Sequence, residues 1–491
     1  MDLIREMAHV IEQDRPKSFG LLIPKDSKLK KLYDLALNPL LSERDIEYKI
    51  YKSKTGDKRF LMLKGNLINK LSELILIGEH SDINKHNYIK VQFECEKQLT
   101  IAKKLLFVNV YHNAEKIIKK VIKQAIRHHL ANVEAESYQL MRKINYLKGF
   151  PEQTEEYKEL AAKRLQVSSK VDEAKGSTEL FLAEIKFLRS QSKNIAERCS
   201  KYILPLVAYD KDSPFIELAI LRLRLIKAHQ ENDLEEWSHT LTELEGFLRT
   251  YPHLLTEHLT LELNVSKVKY YLAVRDHAKA DNTLSSLLKF TTFEAFNRYE
   301  VLAEQFTLRC HQEKLPQAKR IIEKAYSSIQ FEMLDGMDKA AWSIRTAYLH
   351  FASYAQGLKL DLKWFPEKNL TTFFNASRPI SKDKTGYHFQ FVIIRILLLH
   401  IRKSIDYASE HNSLKVYQTR HLKSNLPIRS TIFYSFLIKL TKAHFSQAEY
   451  QSLTRGFLEK LHEHPVHIEH CEIFTYENLW RMIGETTIKK G

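Results

Sequence analysis

Glycine is scarce in this chain: 13 residues in 491, none of them clustered. Glycine supplies positive-φ backbone, tight turns and loops that let a backbone approach a phosphate. Its scatter excludes GxxxxGK[ST] and GxGxxG loops and the GxSxG nucleophile elbow, and no HExxH occurs. No enzyme, cofactor or metal role is expected. Cysteine is scarce as well. Cys95, Cys199, Cys310 and Cys471 form no close pair, which excludes CxxC zinc and redox motifs. Buried thiols in a reducing compartment are the expectation, hence a cytoplasmic location. Long apolar runs are missing too. The longest, Phe391 to Ile401, is broken by Arg395 and His400, and a bilayer span takes roughly 20 apolar residues. No contact with a membrane is expected. The first residues show no basic segment followed by an apolar one, so no signal peptide is expected.

Positive charge is abundant. The formal net charge is +16 and the isoelectric point about 9.3, a balance that fits contact with nucleic acid or another anionic surface. Its distribution is uneven. Lys103 to Lys148 carries ten Lys/Arg against three Glu, and Lys359 to Arg429 carries thirteen against five acids.

Apolar residues recur at helical spacing almost everywhere, so the fold class is all-α. Residues 1–80 read as a small N-terminal helical unit. Helices are expected over Asp2–Gln13, Ser27–Asn38, Ser42 to Lys52 with Ser42 as N-cap, and Lys58 to Ile77. Residues 81–205 read as long helices: Tyr88–Val110, Ala114–Leu130, a third to Leu147, and one bent or two separate helices from Glu152 to Leu204. Residues 206–491 read as paired helices separated by short polar breaks. These breaks are Gln230–Asp233, Arg275–His277, His311–Lys314, Gly357–Lys359, Ser409–Asn412 and Phe445–Gln447, roughly 35 to 50 residues apart, the range of helical-hairpin repeats.

The second helices of these pairs carry a small–large–small pattern. Ala318, Ile322 and Ala325 show it. Tyr271 lies nine residues before Ala280, with Leu284 following, and Thr240, Leu244, Phe247 and Pro252 show a looser form. On these residues the C-terminal part resembles the tetratricopeptide-repeat superfamily in degenerate form, without that family's Trp-Leu-Gly start. The resemblance implies a TPR-like α-solenoid of antiparallel helix pairs that binds a peptide or protein partner.

Three groups of residues are candidates for binding. Ser42 to Lys52, a turn at 54–57 and the helix from Lys58 have the outline of a helix-turn-helix, with Lys58, Arg59, Lys64, Asn66, Asn69 and Lys70 as donors to phosphates and bases. Lys116, Lys119, Lys120, Lys123 and Arg127 recur at helical spacing and track one side of a helix, an arrangement that suits a phosphate backbone, although a solvated face accounts for it better. Trp342, Tyr348, Phe351 and Tyr354, with Trp364, Phe365, Phe373 and Phe374, supply either a recognition groove or the interlocking core of helix pairs. His462, His464, His467, His470 and Cys471 are metal-ligand types, but Pro465 splits them, and a polar helix end accounts for them better. The expected function is a non-enzymatic protein-interaction scaffold. The alternative is a nucleic-acid-binding or regulatory protein that uses the N-terminal unit or the basic helices, with the repeats as sensor or oligomerisation arm.

Overall fold

The computed structural model describes residues 1–13, 18–38, 41–52, 56–77, 87–187, 195–288, 295–328, 331–332, 334–363, 365, 372–373, 387–421, 428–464, 466 and 472–488. Among these residues there are 22 α-helices and no strand, and no helix is long and apolar enough to cross a membrane. The chain divides into two compact units, Met1–Glu94 and Cys95–Gly491.

The smaller unit is built around α5 (Lys58–Ile77), which packs against α1 (Asp2–Gln13), α2 (Phe19–Leu22) and α3 (Lys28–Ala36). Phe60, Leu67, Leu71 and Leu74 of α5 are buried with Ile4, Ala8, Ile11, Leu32 and Tyr33, the 3- and 4-residue spacing of one helix face. Ser27 caps α3 through the Lys30 N–H. Ser42 and Asp45 form a reciprocal capping box at α4 (Glu43–Tyr51).

The larger unit continues through α6 (Tyr88–Phe107), in which the division falls, α7 (Tyr111–Arg127), α8 (Ala131–Lys148), α9 (Pro151–Phe187) and α10 (Ile195–Val207). Then come α11 (Pro214–Glu231), α12 (Leu234–Thr250), α13 (Glu257–Ala273), α14 (His277–Leu287), α15 (Ala295–His311) and α16 (Leu315–Tyr326). The last helices are α17 (Gly336–Ala355), α18 (Tyr387–Ile401), α19 (Tyr407–His421), α20 (Ile428–Lys442), α21 (Gln447–His462) and α22 (Tyr476–Ile488). Sequence neighbours pack against each other, as in α7–α8, α11–α12, α13–α14, α15–α16 and α20–α21. Ala318, Ile322, Ala325, Ala280 and Leu284, the small and large positions of the second helices, are all buried. Gly176 does not interrupt α9.

One device closes the hairpins. At Asn109, His129, Gly149, Asn232, Arg275, Glu313, Gly357, Lys403 and His444 the chain turns into the left-handed region. At each, that residue's N–H and the next one reach back to carbonyls of the last helical turn, as Ser404 does to Leu399 at 3.1 Å and Lys403 to His400 at 3.1 Å. This double bond pattern satisfies carbonyls that a helix end leaves free. Glycine fills the left-handed position only at Gly149 and Gly357; side-chain-bearing residues fill the others, at a cost of roughly 1 kcal/mol each. Asp233 and Asp276 follow directly as N-caps of the next helix, so one residue ends a helix and the next begins another.

The break expected at Ser409–Asn412 is not there. These residues lie inside α19, and the chain turns earlier, at Lys403. The polarity of the stretch has another cause: Glu410 is buried and takes the Arg395 guanidinium on both carboxylate oxygens.

The C-terminal segment returns along the unit. α22 packs on α17 as well as on α21. Arg429, fully buried, donates to Glu472 at 2.8 and 3.0 Å and to Glu477 at 2.7 Å. Arg275 pairs with Glu477, and Arg481 with Glu313, across two hairpin turns. His311 Nε2 donates to the Glu472 carbonyl at 2.9 Å. Gly484 permits the close seat of α22 on α21, because a Cβ there would lie 2.2 Å from the Tyr450 ring, which stacks on Trp480.

Two outcomes follow. Lys403→Gly should stabilise the larger unit by about 0.5–1 kcal/mol, since Lys403 is exposed and only its backbone strain is removed, while Gly149→Ala should cost about 1 kcal/mol. Urea midpoints of the two variants read both. Burial pulls the His311 imidazole down to about 4, against about 6.5 in an unfolded chain. The folded state therefore favours the neutral ring. Stability is complete above about pH 6.5 and falls as pH drops toward 4, by on the order of 3 kcal/mol. Urea titrations at pH 7.5 and 4.5 should show this fall, and His311→Gln should reduce it.

Candidate functional site

Helices α6 to α9 run up and down. The turn at 108–110 and the turn at 149–150 therefore lie at one end and the turn at 128–130 at the other. An ion pair between Lys148, at the end of α8, and Glu115, near the start of α7, fixes this arrangement. The shared end is apolar. Phe107 is 87% exposed, Val108 61% and Tyr146 71%, with Leu147 and Phe150 also exposed. Exposed Lys104 and Lys143 stand about one helical turn behind it. The corresponding turns at Asn232-Asp233, Arg275-Asp276 and Glu313-Lys314 are polar, so this end differs from those three hairpins; the turn at Gly357 exposes Tyr354 and Leu358, each less than half as exposed as Phe107. Exposed apolar clusters rimmed by polar residues recur at interaction sites, which makes this end a candidate surface.

The second surface is the outer face of α7. Lys116, Lys120, Lys123 and Arg127 are exposed and fall within about a 60° arc at 3.6 residues per turn. Ala114, Ile118, Val121 and Ala125 are buried on the opposite side. Lys119 lies off this stripe and pairs with Glu115 at 2.7 Å. Hydrogen bonds from Lys119 and Lys148 hold the Glu115 carboxyl down at about 2. Glu134 and Glu136 pair with Arg164 and Lys103, so the acids of this stretch are engaged and the four stripe cations have no acidic partner among the described residues.

The helix-turn-helix outline is filled differently. Arg59 binds Asp57 at 2.7 Å and lies over the Tyr51 ring, Lys64 binds Glu43 at 2.7 Å, and Lys70 binds Glu73 at 2.9 Å. Lys58, Asn66 and Asn69 are exposed. Buried Glu47, which the sequence did not single out, accepts the N–H groups of Gly56 at 3.2 Å and Asp57 at 2.7 Å and so holds the entry to α5.

The aromatic candidates are core. Trp342 is 2% exposed and Tyr348 1%, and Phe351, Phe365 and Phe373 are buried in the same cluster. Tyr348 donates to Gln390 Oε1 at 2.6 Å. These rings pack helix against helix and offer no surface to a partner, while Tyr354 is exposed. Trp364 and Phe374 lie outside the described residues.

Among the described residues no group of three or more His, Cys, Asp or Glu is placed to hold a metal. His462 and His464 line a cavity of about 430 Å³ with Ala273, Val274, Arg275, Glu463 and Val466, and Arg275 there is committed to Glu477. His467, His470 and Cys471 lie outside the described residues. The thiols of Cys95, Cys199 and Cys310 are buried, and burial pushes that of Cys199 up to about 12. No protein-family model, no curated protein and no solved structure matches this chain.

Two variants separate surface from core. Phe107→Ser with Tyr146→Ser should change stability by less than about 0.5 kcal/mol per site, whereas Trp342→Ala should cost about 3–5 kcal/mol. Urea denaturation of the variants measures both.

Proposed function

We propose that the chain is a non-enzymatic interaction protein, a TPR-like framework of helical hairpins that holds a protein partner on the apolar end of α6–α9. The observation that carries this reading is the exposure of Phe107, Val108, Tyr146, Leu147 and Phe150 at two adjacent turns. Aromatic residues are enriched at the centres of protein interfaces and dominate their energetics. The lysines behind them favour a partner whose rim is acidic. The hairpin framework supplies rigidity: each turn is closed by two backbone hydrogen bonds, so the ends are pre-ordered and little entropy is lost on docking.

The test is purification of the tagged full-length chain from its host, with and without nuclease. Wild type is compared with Phe107→Asp/Tyr146→Asp and with a control at an exposed apolar residue elsewhere, Val416→Asp. A protein that survives nuclease, is held by wild type and control, and is lost from the double variant is the expected result. A set of bound proteins unchanged by the double variant contradicts the reading.

A further inference from the structure

We infer that the outer face of α7 is a second binding surface and that its ligand is the phosphate backbone of a nucleic-acid duplex, engaged without regard to sequence. This inference stands on a different surface from the apolar end and does not depend on it.

Placement is the first argument. Lys116, Lys120, Lys123 and Arg127 recur at steps of four, three and four residues. At 1.5 Å per residue they form a straight row about 16 Å long, and His112, exposed and one step earlier, continues it. A duplex carries one phosphate charge about every 1.7 Å of its axis, counting both strands, so a row of this length meets a dense array of phosphates along the duplex surface.

Compensation is the second. In a stretch this basic, an ordinary solvated helix face pairs its cations with acids one turn away. Here Glu115 is already held by Lys119 and Lys148, and the row faces solvent with no acid of its own. Four unscreened like charges on one face repel each other, and an external polyanion relieves that repulsion.

What the row omits selects the ligand. It contains no aromatic residue, whereas surfaces for single strands stack bases on aromatic rings. It contains only long cations and one imidazole, which suit phosphates more than base edges. An anionic lipid surface fits worse. A helix lying in a membrane interface inserts its apolar face, and that face of α7, Ala114, Ile118, Val121 and Ala125, is buried in the protein.

The experiment is fluorescence anisotropy of the full-length chain with a labelled 25-base-pair duplex of random sequence between about 50 and 200 mM KCl. Neutralising four phosphates should give a slope of log K against log[salt] near −3.6. Lys116→Gln/Lys120→Gln/Lys123→Gln/Arg127→Gln should weaken binding at 50 mM salt by about tenfold or more and flatten the slope by about 3.6. Removing three exposed cations elsewhere, Lys415→Gln/Arg420→Gln/Lys442→Gln, should leave both unchanged. Circular dichroism checks that each variant is folded, and the pair Lys120→Glu/Lys123→Glu supplies an independent loss. Phe107→Asp/Tyr146→Asp should bind the duplex like wild type, so failure of the partner reading and failure of this one are separable. No binding by wild type, binding unaffected by the fourfold variant, or equal binding to poly-L-glutamate or to vesicles containing about one-third phosphatidylserine overturns the inference.

Discussion

Arg429 is buried, and its guanidinium makes five hydrogen bonds: two to Glu472, one to Glu477, and one each to the carbonyls of Leu461 and His464 at the end of α21. A guanidinium has five N–H donors, so all are used. Burial alone would push the Glu477 carboxyl up. The charge and hydrogen bond of Arg429, with help from Arg275, outweigh it and hold the group below the ordinary carboxylate range. Breaking a buried pair of this kind by removing one partner typically costs about 3–5 kcal/mol, because the other charge is left buried. The position of the segment 472–488 depends on this node.

The consequence reaches back along the chain. In a strictly linear array each repeat touches only its neighbours. Here Glu477, Arg481 and the Glu472 carbonyl engage the turns at Arg275, Glu313 and His311, and α22 packs on α17. The C-terminal helices therefore close on earlier ones, and α6–α9, with their exposed end and basic face, lie outside that closure. The larger unit thus has a part stiffened by buried charge and a part whose apolar and basic side chains are exposed to solvent.

Much of this was legible in sequence, and what was not has physical reasons. The bounds of α1 and α5 and the breaks at Asn232, Arg275 and Glu313 follow from apolar spacing and polar turns. The left-handed cap positions did not announce themselves, because seven of the nine named above carry side chains other than glycine's hydrogen. Ser409–Asn412 looked like a loop because a buried Glu410 reads as polar unless its partner Arg395 is known. Trp342 and Tyr348 fitted a core better than a groove but excluded neither, since helical spacing of aromatics is common to both. Phe107 and Phe150 went unnoticed because each abuts a turn. The available signal was the contrast between apolar residues flanking Asn109 and Gly149 and polar ones flanking Asn232 and Glu313.

One buried arginine locks the C-terminal helices onto the hairpins at α13–α16, while the surfaces of α6–α9 proposed to bind partners stand apart from that lock. Hydrogen exchange of Arg429→Met against wild type tests it directly. The account predicts that α22 and the turns at Arg275 and Glu313 lose protection together, with α7 and α8 unchanged. Loss confined to α20 and α21, or loss spread evenly through α7 and α8, would contradict it.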